Sequence, residues 1–322
     1  VSGKSKITNR AGYKLIRSSG KLSVFLFAPL AALFRKFGKF DALVEVWNGV
    51  PFFTPLLTKG PRIAFLHHQH GPLWPVVLPK PLAPIGSLIE KKCASFFYSK
   101  TPIITLSESS KKEISSVLKL PTSNIYVVEP GISTAFKSKS EKSITPLVVV
   151  AGRLAAYKRV DKVFELLKEV KKITPDLSLE IIGVGIEENR IREMLDKEMS
   201  ADWVFLKGKV NESALIDAYS RAWVIASASE SEGWGMTLTE GARCGTASIA
   251  SDIPGHRDSV SHGVSGYLCE DKESFIFYLS RLLSDKSQAI SMGNEAYKWS
   301  TRFTWERAAT ESFRILASSK NL

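Results

Sequence analysis

The sequence predicts an α/β protein of two domains, each built on a parallel β-sheet covered by helices. The chain has 322 residues, which is enough for two domains of ordinary size. Short apolar runs alternate with longer stretches whose apolar residues recur at helical spacing, a pattern typical of βαβ units. A polar stretch, Lys137–Ser143, lies between the two halves and has the composition of a linker. We therefore place the domains at residues 1–142 and 143–304, followed by a last segment, 305–322.

The second half shows the alternation most clearly. Pro146–Ala151 is a short, valine-rich run typical of a buried strand, and Val160–Ile173 carries apolar residues at helical spacing. Further strands are predicted at Ser178–Ile182, Trp203–Leu206, Trp223–Ser227, Ala247–Ala250 and Tyr267–Cys269. Helices are predicted between them at Glu187–Lys197, Glu212–Arg221, Thr237–Cys244 and Glu273–Leu283, with Asp252–Arg257 as a loop.

The first half predicts a second doubly wound sheet with fewer elements. Its strands are expected at Asp41–Trp47, Arg62–Leu66, Ile103–Leu106 and Asn124–Val128. Its helices are expected at Ser23–Phe37, Ala83–Ser95 and Ser109–Leu118, the last of them capped by Ser107. A final helix from Trp305 to about Ser318 is expected to cross back onto the first domain.

The most informative residues are two carboxylates, Glu232 and Glu240, which flank a predicted strand–glycine loop–helix junction. Backbone N–H groups and the positive end of the helix dipole make such a junction a ready site for phosphate. A carboxylate on each side would hold sugar hydroxyls without touching the phosphates. The structural alternative is that Glu240 only opposes the helix dipole and that Glu232 is an ordinary loop residue.

Two cations, Arg153 and Lys158, lie on the loop that leaves the first strand of the second domain. They suit a pyrophosphate, with Arg as a fork and Lys as a point charge, and two exposed loop cations remain the alternative. The loop lacks the Gly-Lys-Ser/Thr of a Walker A motif. Gly183 and Gly185 end the next strand and predict a tight turn beside a nucleotide rather than a dinucleotide fingerprint.

Three of the five histidines, His67, His68 and His70, cluster after the strand Arg62–Leu66. We interpret them as a polar site for an acceptor hydroxyl. A structural cluster is one alternative and zinc is another, although no nearby Cys, Asp or Glu completes a zinc ligand set. Asn48 lies in a turn after another strand of this domain. The chain contains no Asp-x-Asp, so we expect no metal-bridged pyrophosphate.

Charge is distributed unevenly along the chain. Residues 1–143 carry 21 Lys or Arg and 7 Asp or Glu, whereas residues 144–322 carry 23 and 25. The excess positive charge therefore lies in the first half, which favours an anionic partner such as a membrane surface, with a basic solvated face as the alternative. The three cysteines, at 93, 244 and 269, have no paired spacing, which favours a reducing compartment.

One segment, Leu22–Phe34, has the apolar character of a membrane segment and is followed by the basic stretch Arg35–Lys39. It is shorter than the roughly 20 residues that span a bilayer. We therefore expect a helix packed in the core, with a helix lying on a membrane surface as the alternative.

Taken together, these motifs resemble the family 4 glycosyltransferases of the GT-B fold, over nearly all of residues 100–310. The second-domain motifs that carry the resemblance are Gly152-Arg153 with Lys158, Gly183-Val184-Gly185, Glu232–Gly235 through Glu240–Ala242, Gly245-Thr246, Gly255–Asp258 and Phe303–Glu306. Those of the first domain are Leu66-His67-His68, Leu106–Glu108 and Glu129–Gly131. The chain departs from the family in having Glu129 where Asn is usual, and in lacking the opening strand and glycine-rich loop.

The resemblance implies two Rossmann-like domains that face each other across a cleft, the first for the acceptor and the second for a nucleotide sugar. It implies sugar transfer from a UDP- or GDP-sugar with retained anomeric configuration, without a metal ion or other cofactor. The departing phosphate would itself take the acceptor proton. We expect a lipid-linked or glycan acceptor, and a cytoplasmic protein that is peripheral at the inner membrane face.

The resemblance also assigns residues by position. Arg153 and Lys158 would neutralise the leaving diphosphate, Glu232 would bind the donor sugar and Glu240 would bind the ribose. The remaining donor-side residues would be Gly152, Gly183, Val210, Gly235, Met236 and Thr237. On the other side, His67 would be the active-site histidine, with His68 and Asn48 near the acceptor.

Two other classes of function remain open from the residues alone. One is a nucleotide-sugar epimerase or hydrolase on the same architecture, and the other is a non-catalytic, truncated remnant. Nucleic acid is not an expected partner, because the basic residues are not interleaved with an aromatic platform.

Overall fold

The computed structural model describes residues 6–17, 23–34, 36–67, 74 and 81–319. The chain divides into two compact units. The first comprises Val1–Glu129 together with Ala309–Leu322, and the second comprises Pro130–Ala308.

The polar stretch Lys137–Ser143, predicted as the linker, belongs to the second unit. The Lys139 N–H donates to Ser220 Oγ at 3.1 Å, and Ser140 Oγ donates to Asp217 Oδ1 at 2.5 Å. These bonds attach the stretch to a helix of that unit. The unit therefore begins earlier than the predicted residue 143.

The first unit contains a β-hairpin and a parallel sheet. The hairpin pairs β1 (Lys6–Arg10) with β2 (Tyr13–Arg17), and its two turn residues, Ala11 and Gly12, have positive φ as such turns require. The sheet runs in chain order through β3 (Leu43–Val46), β4 (Arg62–Phe65), β5 (Ile103–Thr105) and β6 (Ile125–Val127). The four sheet strands were predicted, whereas the hairpin was not.

The described α-helices of the first unit are α1 (Val24–Leu33), α2 (Ala83–Leu88), α3 (Ser95–Tyr98) and α4 (Glu108–Leu118). A π-helical segment, Ile89–Ala94, joins α2 to α3, so the predicted helix over 83–95 is one helical run of mixed type. Ser107 caps α4 by accepting the Ser110 N–H at 3.1 Å, as predicted.

The prediction that α1 packs in the core is wrong. None of its ten described residues is buried, and Leu26 and Leu33 are 62% and 58% exposed. Phe25 stacks on Phe52 with ring centroids 5.1 Å apart, but the helix leaves Leu26, Phe27, Leu30 and Leu33 exposed to solvent. Among the helices that the structure describes, none combines the length and the apolarity needed to cross a bilayer.

A buried carboxylate, Glu45 of β3, organises the loop that follows this strand. Its oxygens accept hydrogen bonds from the Phe52 N–H at 2.7 Å and from the hydroxyls of Thr54 and Tyr98 at 2.6 Å each. Burial and the charge of Glu45 raise the pKa of Tyr98 far above its usual value. The loop is thereby attached to α3 through a satisfied buried charge.

The second unit is built on a six-stranded parallel sheet. Its strands are β7 (Leu147–Ala151), β8 (Ser178–Ile182), β9 (Val204–Gly208), β10 (Val224–Ser227), β11 (Ala247–Ser251) and β12 (Gly266–Cys269). Their order across the sheet is β12-β11-β10-β7-β8-β9. Strands β8 and β9 are added on one side of β7 and strands β10 to β12 on its other side, so the direction in which the sheet grows reverses between β7 and β10. This reversal is the topological switch point of a doubly wound sheet. The predicted α/β fold class with parallel sheets is confirmed.

The helices that follow are α5 (Val160–Lys171), α6 (Glu188–Lys197), α7 (Glu212–Arg221), α8 (Met236–Arg243), α9 (Pro254–Ser259), α10 (Lys272–Ser284), α11 (Lys286–Ser300) and α12 (Trp305–Ser318). Of these, α9 and α11 were not predicted. The buried face of α11 consists of small residues, which give little hydrophobic periodicity: Ala289, Gly293, Ala296 and Ser300. The last helix, α12, begins in the second unit and continues in the first.

The core of the second unit lies between the sheet and these helices. Val148, Leu179 and Ile249 are fully buried on three of its strands, and Phe164 of α5 and Leu279 of α10 are fully buried against them. A sheet covered in this way leaves the loops at its strand ends as the exposed positions for ligand binding.

Candidate functional site

A pocket lies at the switch point of the second unit, at the carboxyl ends of β7 and β10. Open parallel sheets bind ligands at this position, because the loops on either side of the reversal diverge. Five residues singled out in the sequence line the pocket together: Gly152, Arg153, Lys158, Glu232 and Thr237. The fold therefore gathers both predicted cations and one predicted carboxylate into a single site.

The loop after β7 supplies the two cations. It begins at Gly152, which has φ +141°, and ends in a 3₁₀ turn, Ala156–Lys158, directly before α5. Arg153 is exposed, whereas Lys158 is half-buried. The ammonium of Lys158 donates to Oε1 of Glu232 in an ion pair whose side chains are 22% and 14% exposed. Partial burial reduces solvent screening of this pair.

Glu232 follows β10 on the glycine-containing loop and has a second partner there. Ser229 Oγ donates to the same Oε1 atom at 2.9 Å. Hydrogen bonds to a charged group contribute about 1.5–3 kcal/mol each. The carboxylate is thus held from two sides, by a cation of the β7 loop and by a hydroxyl of its own loop.

The N-terminus of α8 forms another side of the pocket. Gly235 is its N-cap residue, with φ +99°, and Thr237 of the first turn lines the pocket. Because glycine has no side chain to accept from them, the N–H groups of Met236 and Thr237 in the first turn keep their capacity to bind a ligand. Together with the helix dipole, they favour an anion at this position.

The short helix α9 braces the loop that carries Glu232. A Cβ on Gly255 would overlap the carbonyl oxygen of Glu232, so only glycine allows this approach. A Cβ on Gly235 would lie 3.1 Å from a ring carbon of His256. The loop between β10 and α8 therefore rests directly on α9.

Glu240, the second predicted carboxylate, lies one turn beyond Thr237 on α8. Burial raises its pKa to about 7. The hydroxyl of Tyr219, a fully buried residue of α7, donates to its Oε2 at 3.4 Å. A carboxyl group with this pKa changes its charge near neutral pH.

The loops after β8 and β9 carry the other predicted donor-side residues. Gly183 follows β8 with φ +142°, and a Cβ there would overlap the carbonyl oxygen of Gly152. Gly185 approaches the backbone of Leu154 in the same way. The loops after β7 and β8 are therefore packed backbone to backbone. Val210 follows the edge strand β9 and is half-buried.

The predicted acceptor-side residues lie in the first unit. Asn48 and His67 follow the neighbouring parallel strands β3 and β4, in which Val46 pairs with Phe65, so both lie at the same edge of the sheet. The half-buried ring of His67 lies 6.2 Å from that of Phe65. His68 lies outside the described residues.

No role was predicted for Ser227, Ser229, Tyr219 or His256, although each contacts the candidate site or its supporting loop. Their position was the available signal, since Ser227 ends β10, Ser229 follows that strand and His256 follows β11. Over residues 6–17, 23–34, 36–67, 74 and 81–319, no three His, Cys, Asp or Glu side chains are grouped so that they could hold a metal ion.

A family model described as glycosyl transferases group 1 matches residues 132–299, slightly more than half of the chain. The chain is 34% identical over 122 residues to the GtfA subunit of UDP-N-acetylglucosamine–peptide N-acetylglucosaminyltransferase from Streptococcus pneumoniae, a match covering 38% of this chain and 24% of that protein. It is 27% identical over 225 residues to D-inositol 3-phosphate glycosyltransferase from Corynebacterium urealyticum, covering 66% and 52%.

Among solved structures, Anabaena Alr3699/HepE in complex with UDP and glucose is similar to the chain, with a TM-score of 0.71 and 15% sequence identity. The superposition covers 93% of this chain and 83% of that one, and at this identity the likeness concerns the fold alone. The chain spans about a quarter and about half of the length of the two curated relatives.

Proposed function

Because this chain belongs to the glycosyl transferases group 1 family, we propose that it transfers a sugar from a nucleoside-diphosphate sugar to an acceptor hydroxyl. The family and fold class expected from the sequence motifs are thereby confirmed. We further propose that the anomeric configuration is retained and that no metal ion takes part.

The pocket at the switch point is the observation that carries this proposal. It combines Arg153 and Lys158 with Glu232 beside the N-terminus of α8. Cations and a helix N-terminus suit a diphosphate, whereas a carboxylate suits sugar hydroxyls. A nucleotide sugar carries a diphosphate bonded directly to a sugar ring that bears hydroxyls.

The chemical step follows from where charge develops. Departure of the nucleoside diphosphate builds negative charge on its leaving oxygen, and Arg153, Lys158 and the N–H groups of α8 stabilise that charge from fixed positions. Glu232 orients the donor sugar by accepting from its hydroxyls. The acceptor oxygen attacks the anomeric carbon on the face that the diphosphate leaves, and its proton passes to the departing phosphate. His67 is proposed to lie near the acceptor and the donor sugar.

UDP is the proposed nucleotide, with GDP as the second choice. The pneumococcal relative is named for UDP-N-acetylglucosamine, and the Anabaena structure contains UDP. Glu240 is proposed to accept from the ribose hydroxyls. Gly152, Gly183 and Val210 are proposed to border the nucleotide, beside the backbone-to-backbone packing of the β7 and β8 loops.

The proposed acceptor is lipid-linked or a glycan, met at the cytoplasmic face of an anionic membrane. The excess of basic residues in the first half supports this proposal. The exposed apolar side chains of α1 also precede two exposed cations, Lys36 and Lys39. Apolar side chains next to cations favour binding at an anionic lipid interface.

The test is incubation with UDP-glucose, UDP-N-acetylglucosamine or GDP-mannose and extracted membrane lipids, in the presence of EDTA. We expect an acceptor heavier by one sugar, an equal amount of free nucleoside diphosphate, and the anomeric configuration of the donor by NMR. A donor of unchanged mass but altered configuration would instead indicate an epimerase, and free sugar a hydrolase. No affinity for any nucleoside diphosphate would indicate a non-catalytic chain.

A further inference from the structure

We propose that His256 is a positioning residue for Glu232 and that it acts through two serines, Ser227 and Ser229. The inference rests on the proposed function, because it concerns the carboxylate that is to hold the donor sugar. It adds an interior group to the site, since His256 lies on α9 and not in the pocket lining.

A chain of side-chain contacts leads from Glu232 into the interior. Ser229 Oγ donates to Glu232 Oε1 at 2.9 Å and lies 3.1 Å from Ser227 Oγ. Ser227 Oγ in turn lies 3.4 Å from Nε2 of His256. Ser229 is 1% exposed and His256 is 0% exposed, whereas Ser227 is half-buried and lines the pocket, so the two ends of this serine–histidine run are shielded from bulk water.

The inner end of this chain lies against the sheet. Nδ1 of His256 lies 2.9 Å from the carbonyl oxygen of Ser251, the last residue of β11. The Ser251 hydroxyl donates to the carbonyl oxygen of Ser229 at 2.6 Å. Because β10 and β11 are paired strands, the backbones that carry the histidine and both serines are attached to the same rigid sheet.

Each hydrogen bond in this run of side-chain contacts needs one donated proton. Ser229 gives its single hydroxyl proton to Glu232, so the contact between the serines takes its proton from Ser227. The contact between Ser227 and His256 then takes its proton from Nε2 of the ring. Burial lowers the pKa of His256, which favours the neutral ring with one proton. The run of hydrogen bonds to Glu232 is complete when that proton is on Nε2. With the proton on Nδ1, the ring would instead donate to the Ser251 carbonyl.

The contacts through Ser229, Ser227 and His256 hold Glu232 in a way that binding of the nucleotide sugar does not disrupt. The diphosphate is proposed to attract Lys158, which draws the ammonium away from the carboxylate. Ser229 keeps its hydrogen bond to Glu232, because Ser227 and His256 hold the Ser229 hydroxyl in its orientation. The carboxylate then keeps its orientation towards the sugar while the cation serves the phosphate. Loss of the chain is therefore expected to weaken recognition of the sugar and not of the nucleotide.

The experiment compares the affinities of UDP and UDP-glucose, with GDP and GDP-mannose as the second pair, by calorimetry. The variants are His256→Asn, which keeps a donor near the Nδ1 position, and His256→Gln, which keeps one near the Nε2 position. Ser227→Ala and Ser229→Ala are smaller changes that test the same chain if a histidine variant does not fold. The control is Ser300→Ala, a buried serine that donates to the Tyr297 carbonyl within α11.

We expect Ser229→Ala to lower the affinity for the sugar nucleotide about tenfold, as loss of one hydrogen bond to a charged group predicts. His256→Asn and Ser227→Ala leave that bond without its support and should lower the affinity by a smaller factor, above about twofold. Affinity for the free nucleotide stays within twofold, and His256→Gln and Ser300→Ala resemble the wild type. Equal losses for both ligands, or no loss in Ser227→Ala and Ser229→Ala, would overturn this inference alone. Wild-type protein that bound neither ligand pair would overturn the proposed function and this inference with it.

Discussion

Lys158 and Glu232 are 74 residues apart in the chain, yet their side chains form an ion pair at the switch point between β7 and β10. The pair joins the loop that carries the cations proposed for the diphosphate to the loop that carries the carboxylate proposed for the sugar. Each group thereby holds the other at the pocket. A ligand with a diphosphate next to sugar hydroxyls offers each of them a new partner of suitable charge.

Replacing Lys158 by Ala should lower kcat/KM for sugar transfer at least about a hundredfold, because a fixed cation stabilises the departing diphosphate. The free energy of unfolding should fall by about 1–3 kcal/mol, because Glu232, whose side chain is 14% exposed, loses its cation. Lys168→Ala, which removes a lysine with ion pairs on the surface of α5, is the matched control. Unchanged turnover in Lys158→Ala would remove this residue from the mechanism.

Binding of UDP should strengthen as pH rises through about 7, because Glu240 must be ionised to accept from the ribose and burial places its pKa there. Calorimetry at pH 6 and pH 8 measures the change, which is at most about tenfold per pH unit for one group. Glu240→Gln should remove this part of the pH dependence, leaving only that of the phosphate itself. The same pH dependence in both proteins would exclude Glu240 as the titrating group.

Glu240 should also make the folded state less stable as pH rises from about 4.5 to about 7. Its pKa is near 4.3 in an unfolded chain, so over this range the folded state binds the extra proton and its stability falls with pH. Glu240→Gln should therefore be more stable than the wild type at pH 8, as measured by urea unfolding. A lower stability of the variant at that pH would contradict the raised pKa.

Gly183→Ala should destabilise the second unit by about 2–5 kcal/mol, because the new Cβ would overlap the Gly152 backbone at a positive φ. Gly208→Ala is the control, since Gly208 also has positive φ but its Cβ would meet no atom within 4 Å. That change should cost about 1 kcal/mol from backbone strain alone. Thermal unfolding measures both, and equal losses would mean that the close approach is unimportant.

Glu45→Gln should cost at least about 2 kcal/mol of stability. The amide replaces one acceptor oxygen by a donor, which then opposes the Phe52 N–H or the hydroxyls of Thr54 and Tyr98. Glu141→Gln, an exposed position, should stay within about 0.5 kcal/mol of the wild type. Denaturant unfolding measures both variants, and a neutral effect at Glu45 would show that the loop adapts its hydrogen bonds.

The protein should bind vesicles containing phosphatidylglycerol, and less so at high salt, because α1 presents apolar side chains beside basic residues. Leu26→Asp should lower the bound fraction in a sedimentation assay, since it places a charge on the apolar surface. Ile186→Asp, at an exposed apolar position of the second unit, is the control. Equal binding by both variants would exclude α1 as the contact.

Much of the second unit could be predicted because buried parallel strands are short apolar runs. The bounds of β8 and α7 match the prediction, and the side chains that follow β7 and β10 meet because the ends of parallel strands share an edge. The proximity of Arg153, Lys158 and Glu232 could therefore be predicted from the sequence.

The rest depends on contacts that periodicity does not encode. The environment of α1 could not be read from its composition, because an apolar segment does not show whether a partner surface exists. The roles of Ser229 and His256 were not predicted. The two residues are brought close by the pairing of β10 with β11 and by α9, a helix of six residues that begins with Pro254. The hairpin was not predicted because its first turn residue, at positive φ, is Ala11 rather than the Asn, Asp or Gly that such turns favour.

The contact of Gly183 with Gly152 has a consequence for engineering donor preference. Libraries that randomise these two turns would contain many poorly folded members, since a Cβ at Gly183 would overlap the Gly152 carbonyl oxygen and Gly152 itself has φ +141°, which L side chains rarely adopt. Diversity introduced after β9, around Val210, meets no such constraint. Selection for a new nucleotide base should therefore find its solutions there.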